Sequence, residues 1–287
     1  MIRIGDTTHG ESRLRMLRLV RRGDRHDPHD LTVSLRFEGD FSAAFTEGRP
    51  AGVVPGEALK NLVHTTARQH TIGDIESFGL ELCRRALEAH PQITKIRADL
   101  SEQPWQRMEV GGKAQGQAFI IAGPEQRTAA ITSNGTQVAV VSGIERLTLM
   151  RSAGFAAPGS RPNLREEANE GLPPLVVGSL SVRWTYSTPD VTFGAYRQGI
   201  RGAVLETIAL HASRSVQHTL YAIGDVLLAS YPEVSVISLA MHERPYRPAD
   251  LFHAQLENPD EVFVALDEPV GIVELTLERH TPPNPNS

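Results

Sequence analysis

One cysteine, two tryptophans and no long hydrophobic run occur in 287 residues. The lone Cys83 excludes an intrachain disulfide framework and any cysteine-based zinc cluster. Its neighbours Phe78, Leu82 and Ala86 recur at helical spacing, so its expected role is that of a small buried apolar side chain. No apolar stretch approaches the ~18 residues that a membrane span requires. The opening MIRIGDTTHGESR has no apolar signal region, which points to a cytoplasmic protein with no membrane partner. Basic residues are not in excess either. Lys and Arg number 29 against 34 Asp and Glu, for a formal net charge of −5. That balance gives no general footprint for nucleic acid. With 40% hydrophobic residues, the chain holds material for one large domain or two of ordinary size.

What the sequence does hold is periodicity. In LTVSLRFEG, Leu31, Val33, Leu35 and Phe37 alternate with Thr32, Ser34, Arg36 and Glu38, which predicts a half-buried strand. SRLRMLRLVRRGD before it predicts a second strand from about residue 13 to 22. The polar GDRHDPHD between them predicts an antiparallel hairpin. Arginines 13, 15, 18, 21 and 22 then line a solvated or cavity-facing strand face. Helical patterns follow near 56–70 and 74–90, and strands near 93–99, 117–122, 127–132, 136–142 and 145–151. Residues 153–174 read as a long connection. The order then restarts with a strand near 175–187, helices near 193–213 and 214–231, and strands near 233–241, 261–266 and 271–279. EAHPQITKI closes the first helix pair and ASYPEVSVI the second, with Pro91 and Pro232 about half the chain apart. This is the signature of a tandem duplication. The expected fold class is α+β, in two modules spanning 1–152 and 153–287. Each is an antiparallel sheet with paired helices on one face. The uncovered sheet faces and edges predict an oligomer.

The stretch VVPGEALKN, residues 53–61, predicts a strand end, a turn at Pro55–Gly56 and a helix whose first turn carries Glu57. Such strand-to-helix mouths are common binding sites for small polar ligands.

Several segments in the right order resemble the urate oxidase (uricase) family. They are THGESRLRMLRLVRRGD, HDLTVSLRFEGDFSAAFTEG, VVPGEALKNLVHTTAR, SGIERLTLMRSAGF, SVQHTLYAIG and ENPDEVFVALDEPVGIVELTLER. The resemblance implies the tunnelling (T-fold) architecture, with two similar modules per subunit in a homotetramer and active sites between subunits. It also implies oxidation by O₂ with no metal or organic cofactor. Members of the family use a Lys–Thr pair and a His for proton transfer. They clamp a flat substrate with Arg, Gln and a stacking Phe.

This chain departs from that pattern where the chemistry lies. The resemblance puts His9-Gly10-Glu11 where the family has Tyr-Gly-Lys, so Glu11 replaces the ammonium. It puts Gly56-Glu57 where the family has Thr-Asp, so the hydroxyl is missing at Gly56. The family's late His falls at His242–Glu243, and the clamping Arg falls near EGLPPLVV, which contains no arginine. Gln217 matches the substrate glutamine, and Phe155 stands for the stacking ring. The candidate catalytic residues are thus Glu11, Glu57, His242 and Glu243. The candidate substrate-binding residues are Phe155, Gln217 and Gly56. A proton shared between Glu11 and Glu57 or Glu243 would serve acid–base work. The expected function is cofactor-independent oxidation or hydroxylation of a purine-like or other flat nitrogen heterocycle other than urate. A urate oxidase with a rearranged proton relay and a non-catalytic binding homologue are the alternatives. The sequence spacing contains no recognised metal motif, so no metal is assigned.

Overall fold

A computed structural model describes residues 2, 4–50, 52–121, 123–152, 175–267 and 270–280. The chain divides into two compact units. One holds the chain up to Gly143 together with Thr185–Ala195, and the other holds Ile144–Trp184 and the chain from Tyr196 onward.

The first unit contains β1 (Thr8–Arg22), β2 (Arg25–Gly39), α1 (Ser42–Thr46), α2 (Gly56–Gln69), α3 (Ile75–Ala89), β3 (Ile93–Gln103), β4 (Gln106–Val110), β5 (Lys113–Ile120), β6 (Gln126–Ser133) and the start of β7 (Val138–Arg151). Its sheet runs in the order β1-β2-β3-β6-β7, and β1/β2, β2/β3 and β3/β6 pair antiparallel. The alternation in β2 has the predicted effect: Leu31, Val33, Leu35 and Phe37 are fully buried. Each such side chain contributes about 1.5–3 kcal/mol on leaving water. Leu59, Val63 and Ala67 of α2 and Ile75, Phe78, Leu82 and Ala86 of α3 are also buried, at helical spacing. Cys83 lies within α3, and burial pushes its thiol up to about 12, so it is unreactive packing.

Strand β1 begins at Thr8, five residues earlier than its apolar pattern predicts, because it is bulged between Glu11 and Leu14. Arg13 has a left-handed φ of 60°, and its N–H donates to Ser34 Oγ at 3.0 Å. The extra residue changes the facing of the strand. His9, Glu11, Leu14 and Met16 sit opposite Phe37, Leu35, Val33 and Leu31, so all four share the buried face of β2. A second departure concerns the two strands expected at 136–142 and 145–151. They form one strand, β7, which passes through Arg146 at φ 58° instead of turning there.

Glu102, at the end of β3, is 5% exposed and accepts from His29 Nδ1 at 3.0 Å and Arg127 at 3.1 Å. Burial alone would raise its carboxyl. The His29 bond and the Arg127 charge outweigh that and hold it below its ordinary 4.5. A carboxyl depressed in the folded state contributes stability above its unfolded value, and the contribution is lost as pH falls through the folded value. Glu102→Gln is therefore expected to cost about 1–3 kcal/mol near pH 7. The gap from wild type should narrow as pH falls below 4.5. Denaturation midpoints across that range measure it, and a gap that stays constant would show that the charge contributes nothing.

In the second unit, the rest of β7 is followed by β8 (Val176–Tyr186), α4 (Phe193–Leu210), α5 (Val216–Ser230), β9 (Val234–Glu243), β10 (Tyr246–Pro248), a 3₁₀ turn at Phe252–Ala254, β11 (Phe263–Ala265) and β12 (Ile272–Glu278). The sheet order is β7-β8-β9-β12, with β9 and β12 antiparallel, and α5 packs on that pair. Ser215 caps α5 by accepting from His218 N at 3.1 Å. Leu180, Val182 and Trp184 of β8 and Ile237, Leu239 and Met241 of β9 form the core with Leu220, Ile223 and Leu227. Each unit thus sets helices against a mainly antiparallel sheet, as the α+β expectation requires. No helix among the described residues is long and apolar enough to cross a membrane.

Candidate functional site

The mouth of α2 forms as the sequence predicts. Val54 is buried, Pro55 is the N-cap with φ −59°, and Gly56 is the first helical residue. His9 fastens β1 to this mouth. Its Nε2–H donates to Val54 O at 2.7 Å, and its ring meets Phe41 edge-on, with centroids 6.1 Å apart. Two residues further along β1, on the same face, is Glu11.

Glu11 and Gly56 fit one another. A Cβ added at Gly56 would lie 2.2 Å from Glu11 Oε1 and 3.3 Å from its Cδ. The carboxylate therefore occupies the volume that any larger residue at position 56 would need. It also lies at the positive end of the α2 dipole, where negative charge is favoured. Positions 11 and 56 at this mouth are sterically one feature.

Glu57 points elsewhere. Its side chain is 79% exposed and accepts from Lys60 Nζ at 2.8 Å. That bond and the Lys60 charge hold the Glu57 carboxyl below its ordinary range. A proton shared between Glu11 and Glu57 therefore has no support, since Glu57 is already committed to a cation. Lys60 is the residue that sequence reasoning missed. Its ammonium is held above its ordinary range by Glu57 first and by Glu11 in addition, so one cation serves both acids. The spacing contained the signal, because Glu57 and Lys60 stand i,i+3 on one helix.

In the second unit, Gln217 is exposed in the first turn of α5. His242 is exposed and faces Ile272 across the β9–β12 pair. Glu243 lies on the opposite face of β9 from His242, as strand alternation requires. It is half-buried, its N–H donates to Gly271 O at 2.8 Å, and its side chain lies against Gly271. Gln217, His242 and Glu243 form no hydrogen bond or ion pair with one another. Phe155 lies outside the described residues. Among the described residues, no group of three or more His, Cys, Asp and Glu is placed to hold a metal ion.

The arrangement offers a carboxylate at a helix mouth and a neighbouring ammonium. Comparison with known proteins gives its context. The Uricase family model matches residues 7–132 and 140–274. The chain is 31% identical to the uricase of Arthrobacter globiformis over 276 residues, covering 96% of this chain and 90% of that protein. It is 27% identical to the uricase of Danio rerio over 279 residues, covering 95% and 94%. The crystal structure of the Arthrobacter globiformis uricase superposes with a TM-score of 0.86 at 29% identity, covering 99% of this chain and 98% of that one. With the family match running through both α+β units, this chain belongs to the uricase family.

Proposed function

We propose that the protein is a cofactor-independent oxidoreductase of uricase type that oxidises or hydroxylates a flat nitrogen heterocycle other than urate, with O₂ as co-substrate. The observation that supports this reading is the seating of the Glu11 carboxylate in the space above Gly56. Where the family's pattern has an ammonium and a hydroxyl, this mouth presents an acceptor. Exchanging Lys for Glu reverses one charge, and each unit of charge at close range is worth about 1–4 kcal/mol. Urate is an anion at neutral pH and is disfavoured by that change. A neutral or cationic ring offering N–H donors is favoured. In the proposed reaction Glu11 accepts a ring proton, the ring anion passes two electrons to O₂, and water adds to the oxidised ring with release of H₂O₂. Gln217 and Phe155 hold the ring. His242 or Glu243 manages the second proton. The reading includes a cytoplasmic homotetramer with its sites between subunits, which a solution mass checks directly.

Lys60 favours a second reading. Its charge lies close to Glu11, so an ammonium is retained from α2 instead of β1. On that reading the protein is a urate oxidase with a rearranged relay. Loss of urate absorbance by the purified protein, followed together with O₂ uptake, separates the two. The first reading expects slow or no urate turnover and O₂ uptake with a neutral purine or pteridine. Efficient urate conversion sinks it. Under the second reading, Lys60→Met should then lower that conversion by about 10²-fold or more.

A further inference from the structure

A cavity of about 350 Å³ opens in the first unit, walled by the turn of the β1–β2 hairpin, the residues before α3 and the β4–β5 hairpin. It is separate from the mouth of α2, and its chemistry is different. Four guanidinium groups line it, from Arg22, Arg25, Arg107 and Arg127, against two carboxylates, Asp27 and Glu102.

Two of the four arginines are already used. Arg107 donates to Asp27 Oδ1 at 2.6 Å, to His26 O at 2.5 Å and to Gly116 O at 2.7 Å, and it lies over the Phe119 ring. Arg127 donates to Glu102, which also holds His29. Arg22 and Arg25 are left. Each makes only a long ion pair with Asp27, Arg22 at 3.8 Å from Oδ2 and Arg25 at 3.9 Å from Oδ1, too far for a hydrogen bond, and Arg107 already donates to Oδ1 of that carboxylate. Both side chains are 67% exposed and make no side-chain hydrogen bond to any described residue. His29 aside, the lining carries a formal charge of +2, and the forks of Arg22 and Arg25 are held only by long ion pairs.

We propose that this cavity binds a phosphoryl dianion. Two guanidinium forks facing a single space match the bidentate geometry of phosphate oxygens, and a dianion balances the lining charge. The volume falls within the range of small-molecule pockets, so it has room for more than a free phosphate ion. Pro28, Ile72 and Trp105 supply apolar wall on which a flat group can lie. The Trp105 indole is oriented by its Nε1–H toward Asp30 at 3.4 Å. The shared chemistry is the phosphoryl group, either free or carried on a small aromatic molecule. A nucleic-acid backbone fits poorly, because only two of the lining arginines are free of hydrogen bonds and the chain is acidic overall.

The test is titration calorimetry in phosphate-free buffer at low salt, on the full-length protein and on Arg22→Ala/Arg25→Ala. Ligands are inorganic phosphate, adenosine monophosphate and adenosine. Saturable binding of phosphate, of the monophosphate or of both is expected, weakened at least ~10-fold in the double variant, with adenosine silent. Tighter binding of the monophosphate identifies a phosphorylated ring as the occupant, and equal affinity identifies the free ion. The proposal is overturned by no saturable binding below ~10 mM. It is equally overturned by undiminished affinity in the double variant or by adenosine binding as tightly as its monophosphate. The exposure of both arginines protects the variant's fold, and an unchanged Tm verifies that.

Discussion

Urate oxidation is expected to rise by about 10²-fold or more in Glu11→Lys/Gly56→Thr over the unmodified protein, whereas neither single substitution achieves it. The reason is the 2.2 Å between a Cβ at position 56 and Glu11 Oε1. Threonine at position 56 in an otherwise unchanged protein must displace the Glu11 carboxylate, so the hydroxyl arrives in a disordered mouth. Lysine at position 11 alone brings an ammonium without a hydroxyl, and sets it near Lys60 with one fewer acid to share. Only the pair restores both groups without a clash. Residues acting as a unit give such non-additive results, and the coupling between them is what a double-mutant cycle isolates. Steady-state kcat/KM for urate, measured on all four proteins, reads it directly. Additive single effects would refute the claim that the two positions are coupled. Fast turnover by the unmodified protein would refute the divergence itself.

The largest expected effect on stability comes one residue earlier. Gly10 pairs with Arg36, and a Cβ there would lie 1.9 Å from Leu35 O and 2.9 Å from Leu35 C. These are backbone atoms, so no side-chain rotation can relieve the contact, and β1 must separate from β2. Gly10→Ala is expected to cost about 3 kcal/mol, at the upper end for overpacking. That corresponds to a fall in Tm of roughly 6–12 °C. Because His9 and Glu11 flank Gly10, any catalysis at the α2 mouth should decline with it. Gly5→Ala is the control, since nothing lies within 4 Å of a Cβ at that position. Equal melting of the two variants would show that β1 accommodates the methyl group.

The elements most legible in the sequence were those whose burial sets the pattern. Leu31, Val33, Leu35 and Phe37 announce β2, and Ile75, Phe78, Leu82 and Ala86 announce α3, because each series repeats with the period of its element. The start of β1 was hidden. Leu14 and Met16 follow one alternation and His9 and Glu11 the other, and only the bulge reconciles them. The turn expected inside β7 failed for a related reason, since one left-handed arginine let the strand continue. At the candidate site, Glu11 and Gly56 were visible as letters, but their fit was not. A side chain of β1 filling a void on α2 is a contact across 45 residues of sequence, beyond any local pattern. The Glu57–Lys60 pair was local and readable. The roles of Gln217, His242 and Glu243 rest on resemblance, and no short-range signal marks them.

The bulge at Ser12–Arg13 also makes β1 modular. Downstream of it, side chains answer to the sheet core. Upstream, Thr8–Glu11 answers to the helix mouth, with its own phase and its own anchor in His9. The two halves are insulated from one another, so the short upstream segment is exchangeable as a cassette. Grafting such a segment from a relative would alter the chemistry presented at α2 while leaving Leu14 and Met16 on the core face of β2. Deleting one residue at the bulge would do the opposite, keeping every side chain of the cassette and exchanging its faces, so that His9 and Glu11 turn away from the helix mouth. For redesign of this protein, the bulge is the joint at which to cut.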